Sequence, residues 1–343
     1  MNYFLIVIAA LLVAVEGRGQ QILAPGQQPQ LTVDSKGKIR LVYGESDKIY
    51  FSTSNDNGKT FSSPQLVAQV SEMHLGMTRG PQLATSVDYS LITAMDKKGN
   101  IHAFRQSHKT GKWERIANGN SVEGSAPEGL MSIGADEDNN FYAVWLDLRE
   151  GKNNNICFAS LNGSVWSTNK FVYKSPDEHV CECCKPSISA SGNTVAIMFR
   201  NWLRGSRDLY LITSIDGGQN FSDAQKLGNG TWPLKGCPMD GGGLSIDSKN
   251  QIQTAWQRDG VVFYCRPGQP EQRMGDGRHV GLNGSIVTWE TGSDLMMKPI
   301  DVTQQKLGEG TAVRVFEMKD KSILAVWEKD GKIVFKNIKA KAF

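Results

Sequence analysis

The sequence predicts an all-β protein, a single β-propeller of seven four-stranded blades, or six if its sixth unit elaborates a neighbour. Three observations predict it. A unit of three or four short strands recurs along the 343 residues with a period of roughly 30–50, and such a unit buries both faces only by stacking on its neighbours around an axis. The chain holds 36 glycines, 12 prolines and eight tryptophans, which suits many short strands joined by tight turns. The last unit lacks an outer strand, and the N-terminal end offers one. Two packed sandwiches are the competing architecture.

Taken in order, unit one has strands at 29–33, 39–43 and 49–52, and unit two at 81–85, 90–94 and 101–104. Unit three runs from 127 to 174, with its second strand at 141–145. Unit four has strands at 186–190, 194–199 and 209–213, and unit five starts at Pro238 and continues at 252–256 and 261–264. Unit six is less regular, with strands at 280–282, 285–289 and 295–298. Unit seven has 312–316, 323–327 and 333–336 and then stops. Residues 21–24 can supply its missing strand, closing the ring and removing an exposed edge.

One local pattern is more specific. Ser54, Asp56, Gly58, Thr60 and Phe61 fit S-x-D-x-G-x-T-[FW] at every fixed position, and Ser214, Asp216, Gly218 and Phe221 fit it with Asn220 in place of Thr. The Asp accepts hydrogen bonds from turn amides, Gly permits a positive φ, and the aromatic pins the hairpin to its blade. Weaker traces sit at 107–113 and 160–166. These are Asp boxes, or BNR repeats, and over residues 20–343 the chain resembles the sialidase-like Asp-box β-propellers. The resemblance implies boxes between third and fourth strands, on the face opposite the active site, with a structural role; calcium binding is the minor alternative. A shared fold does not specify an activity.

The N-terminal residues 1–19 carry an apolar run from Tyr3 to Val15 followed by a polar, Gly- and Gln-rich segment. The run is too short to span a membrane comfortably and reads as a secretory signal peptide, with an uncleaved N-terminal anchor as the alternative because no Lys or Arg precedes it. The mature protein is then secreted or periplasmic, with no membrane span, and its thiols meet an oxidising compartment. Charged residues make up 21% and the net charge is +3, so no basic field points to nucleic acid. A monomer is expected.

Propeller geometry places the chemistry. Loops leading into first strands, and loops joining second to third strands, emerge together on an upper face. The loop into unit four carries His179, Cys181, Cys183 and Cys184, and the next loop carries Cys237, Met239 and Asp240. Adjacent blades bring these loops together. His74 from unit two and His279 from unit six share the face. Thiolates, imidazoles and thioethers form a soft set suited to copper(I) or zinc. In an oxidising compartment the same cysteines fit two disulfides, Cys237 to one of the cluster plus a local bridge, since a bond between the adjacent Cys183 and Cys184 is awkward. A redox-active thiol pair is the third reading. Cys157 and Cys265 read as buried single residues.

Arg149, Arg204, Arg207 and Arg258, with Asp147, lie on the same face. Arginine suits bidentate capture of a carboxylate. The resembled sialidases use an arginine triad for the substrate carboxylate, a Tyr–Glu nucleophile pair and an Asp acid/base. Their F/Y-R-I-P motif is absent, however, and no tyrosine matches the nucleophile by motif. Asp147 with Arg149, and Arg207 with Asp208, therefore read as salt-linked loops bracing neighbouring blades. The expectation is a soft-metal or ligand site on the upper face beside structural cysteines. A non-catalytic glycan- or protein-binding propeller comes next, and a sialidase-type hydrolase acting on an acidic sugar comes third.

Overall fold

The computed structural model describes residues 19–177 and 179–339. The signal-peptide expectation falls on residues that, apart from Gly19, lie outside this range. Among the described residues no helix is long and apolar enough to cross a membrane.

The chain forms seven antiparallel sheets, six of four strands and one of five, arranged as the blades of a propeller. The sixth unit, irregular in sequence, is an ordinary blade of Arg278–Asn283, Ile286–Thr291, Asp294–Pro299 and Gln305–Glu309. That settles the count at seven. The ring closes as the sequence predicts. Gln21–Pro25 becomes the outer strand of blade seven, antiparallel to Lys332–Ile338, with Gln21 opposite Phe335 and Pro25 opposite Lys332.

Second strands are apolar on both faces because each blade is covered by its neighbours. Trp145, Trp256, Trp289 and Trp327 sit on these strands in blades three, five, six and seven and are buried. A buried indole needs a partner for its N–H. Trp145 Nε1 donates to Asp147 Oδ2 at 2.6 Å, and Trp327 Nε1 donates to Glu309 O at 3.0 Å.

The two boxes adopt the geometry their residues dictate. Asp56 Oδ1 accepts from the amides of Lys59 and Thr60, both at 3.0 Å, and Asp56 Oδ2 accepts from Thr60 Oγ1 at 2.6 Å. Ser54 Oγ donates to Asp56 Oδ1 and accepts from the Gly58 amide. In the second box Asn220 Nδ2 donates to Asp216 Oδ2 at 2.8 Å, so the asparagine supplies the bond that Thr60 supplies in the first. Both boxes also lock neighbouring blades. Phe61 meets Phe335 of blade seven edge-on at 5.0 Å, and Phe221 meets Phe158 of blade three at 5.1 Å. Gly58 combines φ of 76° with a close approach, since a Cβ there would lie 2.7 Å from Leu324 Cδ1.

A second turn class recurs on the same face. Asp34, Asp136 and Asp247, each directly after a first strand, accept two amides apiece from the residues that follow. An aspartate a few residues in front of a second strand is the sequence signal for it.

Candidate functional site

The loop into blade four is a tight turn held to its own blade and to blade three. The Cys181 amide donates to Arg200 O at 2.9 Å, the Val180 amide to Asn154 O at 3.0 Å, and the Cys184 amide back to Cys181 O at 3.4 Å. The turn folds the Cys181 and Cys184 sulfurs to 2.9 Å from one another. Cys183 Sγ lies 3.6 Å from Cys181 Sγ and 4.0 Å from Cys184 Sγ, and all three atoms fall within 4.8 Å. Cys183 is disulfide-bonded to Cys237 of the next loop, with Cα atoms 6.4 Å apart. Blade order brings Cys237 to the cluster as the sequence predicts. The second, local bridge does not form: Cys181 and Cys184 are free thiols, as are the buried Cys157 and Cys265. The loops are forced together by backbone contact, since a Cβ on Gly241 would sit 1.8 Å from Lys185 O.

Two arginines set the charge here. Arg207 Nη1 donates to Cys181 Sγ at 3.1 Å, with its guanidinium over the Trp202 ring at 4.8 Å. Arg200 is 1% exposed and donates to three backbone carbonyls, Asp240 O, Arg207 O and Gln257 O. It thereby ties together the loops of blades four and five. The Cys184 hydrogen bond holds the Cys181 thiol down to about 6, overcoming burial, with Arg207 and Arg200 adding to the effect. Burial, then the bond to Cys181 and its charge, push the Cys184 thiol well up. The pair therefore carries one proton between two sulfurs near neutrality.

The other predicted residues distribute as follows. His179 neighbours the cluster, its Nδ1 donating to Val180 O at 2.9 Å and its ring stacked on Trp202 at 6.2 Å. His74 Nε2 bonds Pro127 O at 3.0 Å, which ties it to the adjoining blade rather than to the thiols. His279 Nδ1 pairs with Glu290 Oε2 at 2.7 Å, and this bond raises its pKa. Met239 and His279 line the axial cavity. Arg149 grips Asp147 through Nε at 2.8 Å and Nη2 at 2.7 Å, a salt link within one loop of blade three. Arg207 and Asp208 do not pair. Asp208 accepts from Lys226 Nζ at 2.9 Å and from the Trp232 amide, also at 2.9 Å. Arg258 is clamped by both oxygens of Glu271, and the Arg204 amide donates to Asp177. Arg149 and Arg258 each carry a carboxylate partner of their own.

No sequence motif marks the axial cavity. It encloses about 640 Å³ and takes wall residues from all seven inner strands, among them Leu31, Leu83, Ile133, Ile188, Leu244, Leu282 and Val315. Its rim is built by bulges. Gln28, His279 and Ala312 all have positive φ. Their amides are captured by carboxylates at 3.2 Å from Glu328, 2.7 Å from Asp240 and 2.9 Å from Glu290. Lys185, next to Cys184, and Arg314, on the inner strand of blade seven, also line it. A cation between Val313 and Val315 on an inner strand was the available signal.

No family model matches the chain, and no curated protein matches it. Solved structures do. The polysaccharide lyase Uly1 superposes with a TM-score of 0.58 at 8% identity, over 92% of this chain and 90% of that one. A catalytically inactive virginiamycin B lyase from Staphylococcus aureus gives 0.51 at 10% identity, over 94% and 100%. A mutant NanB sialidase from Streptococcus pneumoniae gives 0.43 at 12% identity, over 92% and 68%. The chain spans 64% of the length of a PL25 ulvan lyase that also matches. At these identities the shared property is the propeller.

Proposed function

We propose that this is an extracytoplasmic propeller whose upper-face cysteines bind a soft metal ion, copper(I) or zinc. The observation that carries the reading is the convergence of the Cys181, Cys183 and Cys184 sulfurs within 4.8 Å on one braced turn, with Cys237 covalently in reach. With the Cys183–Cys237 bond intact, the site offers Cys181 and Cys184, and two thiolates suit copper(I). With that bond reduced it offers four thiolates, a zinc-type set. Both complexes are anionic, and Arg207 and Arg200 supply the compensating charge. An interblade disulfide fits export to an oxidising compartment.

Anaerobic titration tests this, with copper(I) or zinc competed against a chelator of known affinity. The expected result is one equivalent bound by the wild type, with Cys181→Ser or Cys184→Ser weakening it at least about a hundredfold, the loss of one ligand from a small set. Equal affinity in wild type and both variants would refute the proposal.

A further inference from the structure

Lys185 and Arg314 face the axial cavity with no carboxylate in salt-bridge range among the described residues, and burial, with the charge of Arg314, holds the Lys185 ammonium down to about 7. Each is held in place by a neutral amide. Lys185 Nζ crosses from blade four to Gln82 Oε1 of blade two at 2.8 Å. Arg314 Nε reaches Gln30 Oε1 of blade one at 3.0 Å, and its Nη1 donates to Val313 O at 2.9 Å. An ammonium has three donors and a guanidinium five, so most of this donor capacity is uncommitted.

The cavity's carboxylates make no ion pair with either group: each is hydrogen-bonded at the rim, and Glu290 acts on Arg314 only through its charge. Glu290 accepts from His279, Thr311 and the Ala312 amide. Glu328 accepts from Gln27 and the Gln28 amide, and Asp240 from the amides of His279 and Gly242. Withdrawing a cation from water without a counter-charge is costly. Glutamine acceptors fix the position of a cation while leaving its charge available. The cavity, about 640 Å³, falls in the size range of small-molecule sites.

We infer that Lys185 and Arg314 form an oxyanion-binding site on the propeller axis, which receives a carboxylate, sulfate or phosphate group of a small polar ligand. The site is separate from the thiol cluster and does not depend on it. Lys185 is nonetheless the residue after Cys184, so the two sites share one loop.

Calorimetric titration of the whole protein with sodium acetate, sulfate and phosphate, at constant ionic strength, tests the inference. Saturable binding of at least one is expected, and the arm that binds identifies the group. Arg314→Gln and Lys185→Gln should each weaken it about tenfold or more, consistent with loss of a charged hydrogen bond, while Lys152→Gln, an exposed change, leaves it intact. If Arg314→Gln does not fold, Lys185→Gln carries the comparison. No saturable binding by any of the three anions, or equal affinity in wild type and the folded variants, overturns it.

Discussion

Arg207 lies with its Nη1 3.1 Å from the sulfur of Cys181, and no carboxylate forms a salt bridge with it among the described residues. A guanidinium next to a thiol stabilises the thiolate. Arg200 adds charge as well, while three backbone carbonyls hold its guanidinium in place. The cluster thus sits in a positive environment that its own blade has built.

Thiolate absorbance in the ultraviolet, followed against pH with the Cys183–Cys237 bond intact, should titrate at about 6 for Cys181. In Arg207→Gln the midpoint should move up toward the ordinary thiol value, about 8.5. An unmoved midpoint would remove Arg207 from the account.

Either Cys183→Ser or Cys237→Ser opens a bridge between positions 54 residues apart. The expected loss is about 2–4 kcal/mol in denaturant unfolding. The double variant should match the singles, because both remove the same bond. Additive losses would show that the two sulfurs are not bonded to each other.

Gly58→Ala should destabilise more than Gly37→Ala. Both glycines have positive φ, but a Cβ at Gly58 meets Leu324 whereas one at Gly37 meets nothing within 4 Å. The difference measures interblade packing, and overpacking of this kind costs about 1–3 kcal/mol. Equal losses would mean that the box does not press on blade seven.

The Asp boxes should govern acid stability. Burial acts to raise the Asp56 carboxyl, but bonds from Thr60, Ser54 and Lys59 outweigh it and hold the group at about 2. The Asn220 amide, the Ser214 hydroxyl and the Asn220 side chain hold Asp216 at about 2 as well. An unfolded aspartate titrates at about 3.9. Because the folded values are depressed, the stabilisation is present above about 4 and lost as pH falls toward about 2. Thermal midpoints recorded across that window should fall steeply in the wild type and less steeply in Asp56→Asn. Parallel curves would contradict this.

Much of this was legible in the sequence, and the misses have physical causes. Strand repeats and box motifs are local, so blades and closure could be read directly, and blade order placed Cys237 beside the cluster. Asp147 ends a strand and Arg149 lies in the turn that follows, where the Asp147 carboxylate accepts from the Arg149 amide and its guanidinium alike, so they pair. Arg207 and Asp208 are adjacent and project to opposite sides, so they diverge to Cys181 and Lys226. His74 and His279 share a face with the thiols but bond Pro127 and Glu290, partners that only three-dimensional packing supplies. Lys185 and Arg314 carry no motif, and their shared cavity exists only once the ring has closed.

Native mass spectrometry of the intact protein, purified without chelator, decides whether the thiol cluster is a metal site. One copper or zinc ion per chain is expected, absent from Cys181→Ser and Cys184→Ser. A metal-free mass for protein that retains free Cys181 and Cys184 thiols and fails to take up either ion when supplied would contradict it.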